Sequence, residues 1–246
     1  MLKDLTAALF LLAAAPTFAA DEVRDLSVFT EVVLAVPADV ELVQASGHSV
    51  AISGSDEVIE RLVTDVDDEV LTVHLEDRWF SWLDDEDLEL VITLEDLTGL
   101  HIKGSGAVVA EELALDSAKI SITGSGDIAI QTVGAEDLAI TITGSGDIAI
   151  DQLDAEDVVT VLRGSGDVAL GGRATSHEIT IQGSGDVGAS ALNTDQVSVV
   201  VSGSGDAEVW AEAKLDAVVR GSGDVSYRGN AEVSRRVYGS GTVVEM

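Results

Sequence analysis

The stretch GSGDIAIQTVGAEDLAITIT, residues 124–143, is one period of the repeat that decides the fold. Its Gly-Ser-Gly opening occurs eight times along the chain. The copies begin at residues 104, 124, 144, 164, 183, 203, 221 and 239, so the period is 18 to 20 residues. A fixed period of this length is typical of solenoids, in which every repeat is one structural unit.

One period encodes strands and turns. Apolar residues alternate with small or polar ones on both sides of the turn-like segment Gly134-Ala135-Glu136-Asp137, which predicts two short strands and two corners in each repeat. Two strands cannot bury an apolar face alone, but stacked copies can. Because parallel crossovers are overwhelmingly right-handed, we expect an all-β fold, a right-handed parallel β-helix of about 20 residues per coil.

The columns of equivalent residues support this stacking. The residue two positions before each Gly-Ser-Gly is always apolar, and the residue one position before it is mostly polar. Such alternation, kept in register over eight copies, predicts one ladder in the core and one on the surface. The apolar ladder is Ile102, Ile122, Ile142, Leu162, Ile181, Val201, Val219 and Val237, and the outward ladder is Lys103, Thr123, Thr143, Arg163, Gln182, Ser202, Arg220 and Tyr238.

The repeated motif is interpreted first as a corner. Glycine suits close stacking of backbones because it lacks a Cβ atom and reaches positive φ, and an aspartate carboxylate can accept backbone N–H groups in a turn. Stacked carboxylates also raise each other's pKa unless N–H donors or a cation compensate, and calcium prefers oxygen ligands. Turn capping is favoured, because each coil supplies one such carboxylate, and calcium binding is the alternative. The column is Asp127, Asp147, Asp167, Asp186, Asp206 and Asp224.

The N-terminal part differs from the repeats. Residues 1–20 combine Lys3, an apolar run and small residues, the order of a secretory signal peptide, and the run is too short for a membrane span. Residues 21–246 are predicted to form a single domain. Within it, residues 21–100 would be irregular coils or a cap, with 53–56 as a decayed corner, and residues 101–246 would be the regular repeats.

Two sequence features depart from the repeat pattern and indicate how the solenoid could be covered or terminated. The segment EDRWFSWLDDED, residues 76–87, places Trp79, Phe80 and Trp82 in an acidic loop between strands. This loop would either cover the solenoid or form a partner-binding tip, since exposed aromatics are enriched at interfaces. Arg235 falls in the apolar column of Ile140, where a charge would block edge-to-edge stacking of the last coil.

Composition restricts the function. A net charge of −32 argues against nucleic acid or an anionic membrane surface as partner, and the absence of Cys excludes thiolate sites. The four histidines are far apart in sequence, without metal-ligand spacing, and no nucleophile or phosphate-loop motif occurs. A polysaccharide-active β-helix enzyme, with paired carboxylates, is a third reading behind a binding scaffold and a calcium-stabilised repeat protein.

The chain from about Phe29 to its C-terminus resembles the head GIN domain of auto-transporter adhesins. The resemblance rests on FTEVVLAVPADVELVQASGHSVAISG, on EVLTVHLED and on LEDLTGLHIKGSGAV leading into the repeats. It implies an exported β-helical protein associated with the cell envelope and supplies no catalytic residues. The expected protein is periplasmic or secreted, without a cofactor other than possible calcium. Its expected partner is an envelope glycan or protein, and the mature chain is expected to lack an integral membrane span.

Overall fold

The computed structural model describes residues 21–76 and 88–246, of which 73% lie in β-strands and 3% in a helix. They form a β-solenoid of about 7 turns with about 20 residues per turn, so the predicted fold class is confirmed. The described strands belong to one hydrogen-bonded sheet that winds around a continuous apolar core.

The elements follow the division seen in the sequence. The N-terminal part contains strands β1 (Glu22–Asp25), β2 (Glu31–Ala35), β3 (Asp39–Gln44), β4 (Ser49–Ser53), β5 (Leu62–Asp67), β6 (Val70–Leu75) and β7 (Glu89–Leu94), with helix α1 (Asp56–Arg61) between β4 and β5. The repeats contain β8 (Gly99–Gly104), β9 (Ala107–Ala114), β10 (Ser117–Gly124), β11 (Asp127–Gly144), β12 (Ile148–Gly164), β13 (Val168–Gly183), β14 (Val187–Gly203), β15 (Ala207–Gly221), β16 (Val225–Arg228), β17 (Glu232–Gly239) and β18 (Val243–Glu245).

Successive repeats pair in parallel and in the predicted register. Strand β11 aligns Ile128 with Ile148 and Gly144 with Gly164 of β12. The apolar ladder before each corner is buried in seven coils, and only its last member, Val237, is exposed, at 39%. Burial of Val, Ile and Leu side chains in every coil contributes about 1.5–3 kcal/mol each, so the stacked columns provide the main stabilisation.

The coil of β11 has three bends, where the sequence predicted two corners in one repeat. In β11, residues 131–132 and 136–137 break the inward alternation, and the Gly-Ser-Gly corner breaks it again. The segment expected as a turn stays in the strand, with Gly134 paired to Asp154 and Ala135 to Ala155. Between β11 and β12 the register is the same on both sides of these bends, whereas the later coils have register shifts at 150–153, 169–171 and 189–196.

The N-terminal layers are wound out of chain order. Strands β2 and β3 pair on one side with β6 and β7, and on the other side with β8 and β9. The layer of β6 and β7 is therefore terminal, although β2 and β3 precede it in sequence. Antiparallel pairing of β5 with β6, of β4 with β7 and of β1 with β4 then covers this end.

Two contacts show how the N-terminal end is closed. The segment expected to be a decayed corner instead begins a helix, because Ser55 is the N-cap of α1 and its side chain accepts from the N–H of Val58. Arg24 on β1 donates to the carbonyl oxygens of Ile59 and Leu62. These bonds fasten the helix C-terminus to β1, where a cation is favourable.

The opposite end carries the predicted arginine. Arg235 is paired with Ala217 in the inward column, as its spacing predicted, and its Nη1 donates to the carbonyl oxygen of Val243 at 3.0 Å. The guanidinium group thus bridges two segments of the last coil. A charge held there makes the end unsuitable for further stacking of strands.

Candidate functional site

From the second corner onward, both glycines of each Gly-Ser-Gly corner leave no room for a side chain. The first glycine has a positive φ, which is +136° at Gly144. A Cβ atom there would lie 2.1 Å from the carbonyl oxygen of Gly124, and one on Gly146 would lie 2.0 Å from that of Gly126. The Ser145 N–H donates to the Gly124 carbonyl at 2.8 Å. The proposed reason for the glycines, close stacking at positive φ, is therefore confirmed.

The recurrent aspartates form a ladder of hydrogen bonds between coils. Asp127 Oδ1 accepts from the N–H of Asp147 at 3.0 Å, and Asp147 Oδ1 accepts from the N–H of Asp167 at 2.7 Å. The series continues to Asp224, whose Oδ1 accepts from the N–H of Thr242. The carboxylates accept backbone N–H groups, as expected, but the donor lies in the next coil rather than in the same turn.

Two aspartates of this ladder have a raised pKa. Partial burial raises the pKa of Asp147 and Asp186, and the neighbouring carboxylates raise it further, while the hydrogen bond from the next backbone N–H lowers it. Within residues 21–76 and 88–246, no group of three or more acidic or histidine side chains is arranged to hold a metal ion. The N–H bonds account for the aspartates without a cation, and calcium binding stays a prediction.

A second feature is a flat outward face beside the corners, called the cationic face below. It consists of the residues that precede each Gly-Ser-Gly by five, three and one positions. The first column is Gly99, Lys119, Ala139, Val159, Glu178, Ser198, Asp216 and Ser234; the second is His101, Ser121, Thr141, Val161, Thr180, Val200, Val218 and Arg236; the third is the predicted polar ladder from Lys103 to Tyr238.

The charge of the cationic face is opposite to that of the chain. It carries five exposed cations against two carboxylates, a net charge of +3, whereas the whole chain carries −32. The cations are Lys103, Lys119, Arg163, Arg220 and Arg236, and the carboxylates are Glu178 and Asp216. Asp216 is already paired with Lys214. The hydrogen bond from Lys214 is the main cause of the lowered pKa of Asp216.

The cations of this face differ from the others in their contacts. Every other basic residue in the described part of the chain has a partner: Arg24 with Glu22, Arg61 with Glu57, Arg173 with Asp154, Lys214 with Asp216, Arg228 with the Trp210 ring and Arg235 with the Val243 carbonyl. None of the five on the cationic face forms an ion pair with a residue in 21–76 or 88–246. Their charges are therefore available to a partner.

A shallow groove of about 310 Å³ lies along the edge of the cationic face. Lys119 and Val159 line it from the face, and Thr98, Ser117 and Asp137 line it from the adjoining bend. Val159 is 40% exposed, and Ser117 donates to Asp137 at 2.9 Å. The groove thus combines hydroxyl and carboxylate groups with an exposed aliphatic side chain.

The aromatic candidates cannot be placed. Trp79, Phe80 and Trp82 lie in 77–87, outside the described residues, so their role stays a prediction. The strands on either side of that segment, β6 and β7, both belong to the terminal N-terminal layer.

Two of the histidines have a hydrogen-bond partner in a neighbouring coil. His177 is 2% exposed in the core, and its Nε2 hydrogen-bonds to the Thr160 hydroxyl at 2.9 Å. Burial lowers the pKa of His177 to about 3. His101 lies on the cationic face and hydrogen-bonds to Ser121. Its pKa is lowered mainly by burial.

This architecture defines a repeat protein of the β-solenoid class. Residues 28–151 and 116–231 match the family described as "Putative auto-transporter adhesin, head GIN domain". The chain belongs to this family, which confirms the resemblance read from the sequence. No curated protein matches the chain. No described helix is long and apolar enough to cross a membrane.

Solved structures share the fold over most of the chain. A putative adhesin from Parabacteroides merdae is 21% identical, with a TM-score of 0.85 over 92% of this chain and 95% of its own. A putative lipid binding protein from Parabacteroides distasonis is 22% identical, with a TM-score of 0.84 over 92% of this chain and 96% of its own. A putative adhesin from the same species is 24% identical, with a TM-score of 0.83 over 92% and 95%.

Proposed function

We propose that the protein is an exported, non-catalytic scaffold of the cell envelope that presents a surface for binding. The observation that carries this proposal is the difference between inward and outward columns. Inward positions stay apolar through the regular coils, with few exceptions such as Thr160 and His177, whereas the outward column of Lys119 changes its chemistry at every step. A constant core with variable outward residues suits a stiff support whose surface recognises a partner.

The family supports an adhesin-like role. Its description and the names of three structural neighbours refer to adhesins rather than enzymes. The predicted signal peptide in residues 1–20 supports export to the periplasm or beyond. We propose a glycan or protein of the envelope as the partner, with Trp79, Phe80 and Trp82 as candidate contact residues.

Binding to envelope material tests this proposal. Purified protein would be titrated against peptidoglycan, a glycan panel and whole envelope fractions, beside the Trp79→Ala/Trp82→Ala variant. We expect saturable binding by the wild type, and its loss in the variant would assign contact to the aromatic segment. A Trp210→Ala variant controls for removal of an indole from a described coil. Absence of binding to every fraction would contradict the scaffold role.

Calcium binding along the aspartate ladder is the second candidate, favoured by the six stacked carboxylates. It requires calcium to raise the melting temperature at micromolar free concentration, because a ligand that binds only the folded state stabilises it. Melting curves in calcium and in chelator measure this directly. Identical curves would leave the ladder with its hydrogen-bonding role alone.

A further inference from the structure

We propose that the cationic face binds a linear acidic polysaccharide laid along the solenoid axis. This deepens the proposed scaffold role, on which it rests, by naming the class of partner and the surface that takes it. The proposal rests on the five cations of this face. They form no ion pair within the described part of the chain, although the chain is strongly acidic.

In a strongly acidic chain, basic side chains are expected to form ion pairs, and these five do not. The chain has 45 acidic residues for 13 basic ones, so a basic side chain could find a carboxylate nearly anywhere on the surface. The remaining basic residues of the described part do have partners, but these five lie mostly among Thr, Ser, Val and Ala side chains. Only Arg236 lies near a carboxylate of the face, that of Asp216, which is already paired with Lys214. The arrangement leaves positive charge uncompensated until an anion binds.

The shape of the face favours a narrow chain over a planar surface. The three columns span about 13 Å along the strand direction and about 34 Å along the solenoid axis, which crosses the strands. Acidic bends flank this strip, and the Debye length is about 8 Å at physiological ionic strength. A planar anionic membrane would extend over those bends and be repelled, whereas a single polymer chain stays close to the cations.

The spacing of the cations suits an extended polymer. Lys103, Arg163 and Arg220 share one column and are separated by three coils each, which is about 14 Å at the strand spacing. Arginine can bind a carboxylate through two parallel hydrogen bonds. A polymer that runs along the axis can therefore place successive anionic groups on successive cations of one column.

The groups between the cations suit sugars. Thr123 and Thr143 fill the column between Lys103 and Arg163, and Gln182 and Ser202 fill it before Arg220. These side chains offer donors and acceptors for sugar hydroxyls. The groove beside Lys119 adds Ser117, the exposed Val159 and the carboxylates of Asp137 and Asp157. The carboxylates can accept hydrogen bonds from sugar hydroxyls, and the aliphatic side chain fits the face of a sugar ring.

The test uses polygalacturonate, a uronate polymer, as the probe for the wild type and two triple variants. The face variant is Lys103→Gln/Arg163→Gln/Arg220→Gln. The control variant, Arg61→Gln/Arg173→Gln/Arg228→Gln, changes the net charge by the same amount but removes cations away from the face. Both sets are largely solvent-exposed, and equal melting temperatures and circular dichroism would verify that the face variant is folded.

We expect the wild type to bind polygalacturonate saturably and not to bind uncharged dextran of matched length. The face variant should bind polygalacturonate with an affinity lower by a factor of about ten or more, whereas the control variant should keep the wild-type affinity. Affinity should also fall by on the order of tenfold between 50 and 200 mM salt, because three ionic contacts release counterions. Equal losses in both variants, or no binding at 50 mM salt, would overturn the inference. Tighter binding of single-stranded DNA or anionic vesicles would overturn it as well.

Envelope fractions separate this inference from the scaffold role. If the wild type and the face variant bind those fractions equally, the scaffold role stands and the polysaccharide inference fails. If neither binds any fraction while polygalacturonate is still bound through the face, the inference holds for the chemistry and the envelope role fails.

Discussion

Replacing Gly144 by alanine would place a Cβ atom 2.1 Å from the carbonyl oxygen of Gly124 in the preceding coil. That distance is shorter than any ordinary contact, so the two coils would have to separate at the corner. The backbone at Gly144, with φ at +136°, would also be strained by about 1–3 kcal/mol in a residue with a side chain. Weakening of the Ser145 hydrogen bond would add about 0.5–1.5 kcal/mol.

The expected total is a loss of about 2–4 kcal/mol, which corresponds to a decrease of roughly 5–15 °C in melting temperature for a chain of this size. Gly134→Ala is the matched control, because a Cβ atom there meets nothing within 4 Å. It should be neutral or slightly stabilising, since alanine reduces the entropy of the unfolded chain. Thermal melting followed by circular dichroism measures both variants, and equal melting temperatures would refute the steric explanation of the corners.

The remaining predictions concern titratable groups. Because the pKa of His177 is about 3 in the folded protein, against 6.5 for an exposed histidine, the unfolded state binds the proton more readily between these values. His177 therefore lowers stability as the pH falls from about 6.5 to 3, by up to about 1.4 kcal/mol per pH unit. His177→Val should flatten this part of the pH profile measured by denaturant unfolding, and an unchanged slope would contradict the assignment. Asp147→Ala leaves the N–H of Asp167 without its carboxylate acceptor and should cost about 1–3 kcal/mol. Asp147→Asn keeps an acceptor oxygen and removes a carboxylate whose pKa is raised, so it should melt above the alanine variant; the reverse order would argue against the hydrogen-bond ladder.

The regular part of the fold could be predicted from the repeat itself. A motif such as Gly-Ser-Gly fixes the register, since each glycine must meet its equivalent in the next coil. His177 could also have been found this way, because its column contains Leu138, Val158 and Val197. That Gly134 and Ala135 stay in the strand was harder to predict, because their pairing with the next coil overrides the local turn signal of 134–137.

The order of the N-terminal layers and the cationic face could be recognised only from the structure. Alternation shows that β2, β3, β6 and β7 are strands but does not say which pairs with which, so the order of layers was missed. One column of the face was visible as the polar ladder that contains Lys103 and Arg163. Recognising a site needed the two neighbouring columns and the partners of the other cations, which depend on three-dimensional contacts.

The layer order at the N-terminal end has a consequence for how the chain folds. Strands β2 and β3 are covered on both sides only after β6 to β9 have joined them, so the first coil of the sequence cannot be the first finished piece of structure. From β11 onward each coil needs only its predecessor as a template. We infer a slow, non-local nucleation step that involves residues up to about 114, followed by fast addition of coils in chain order.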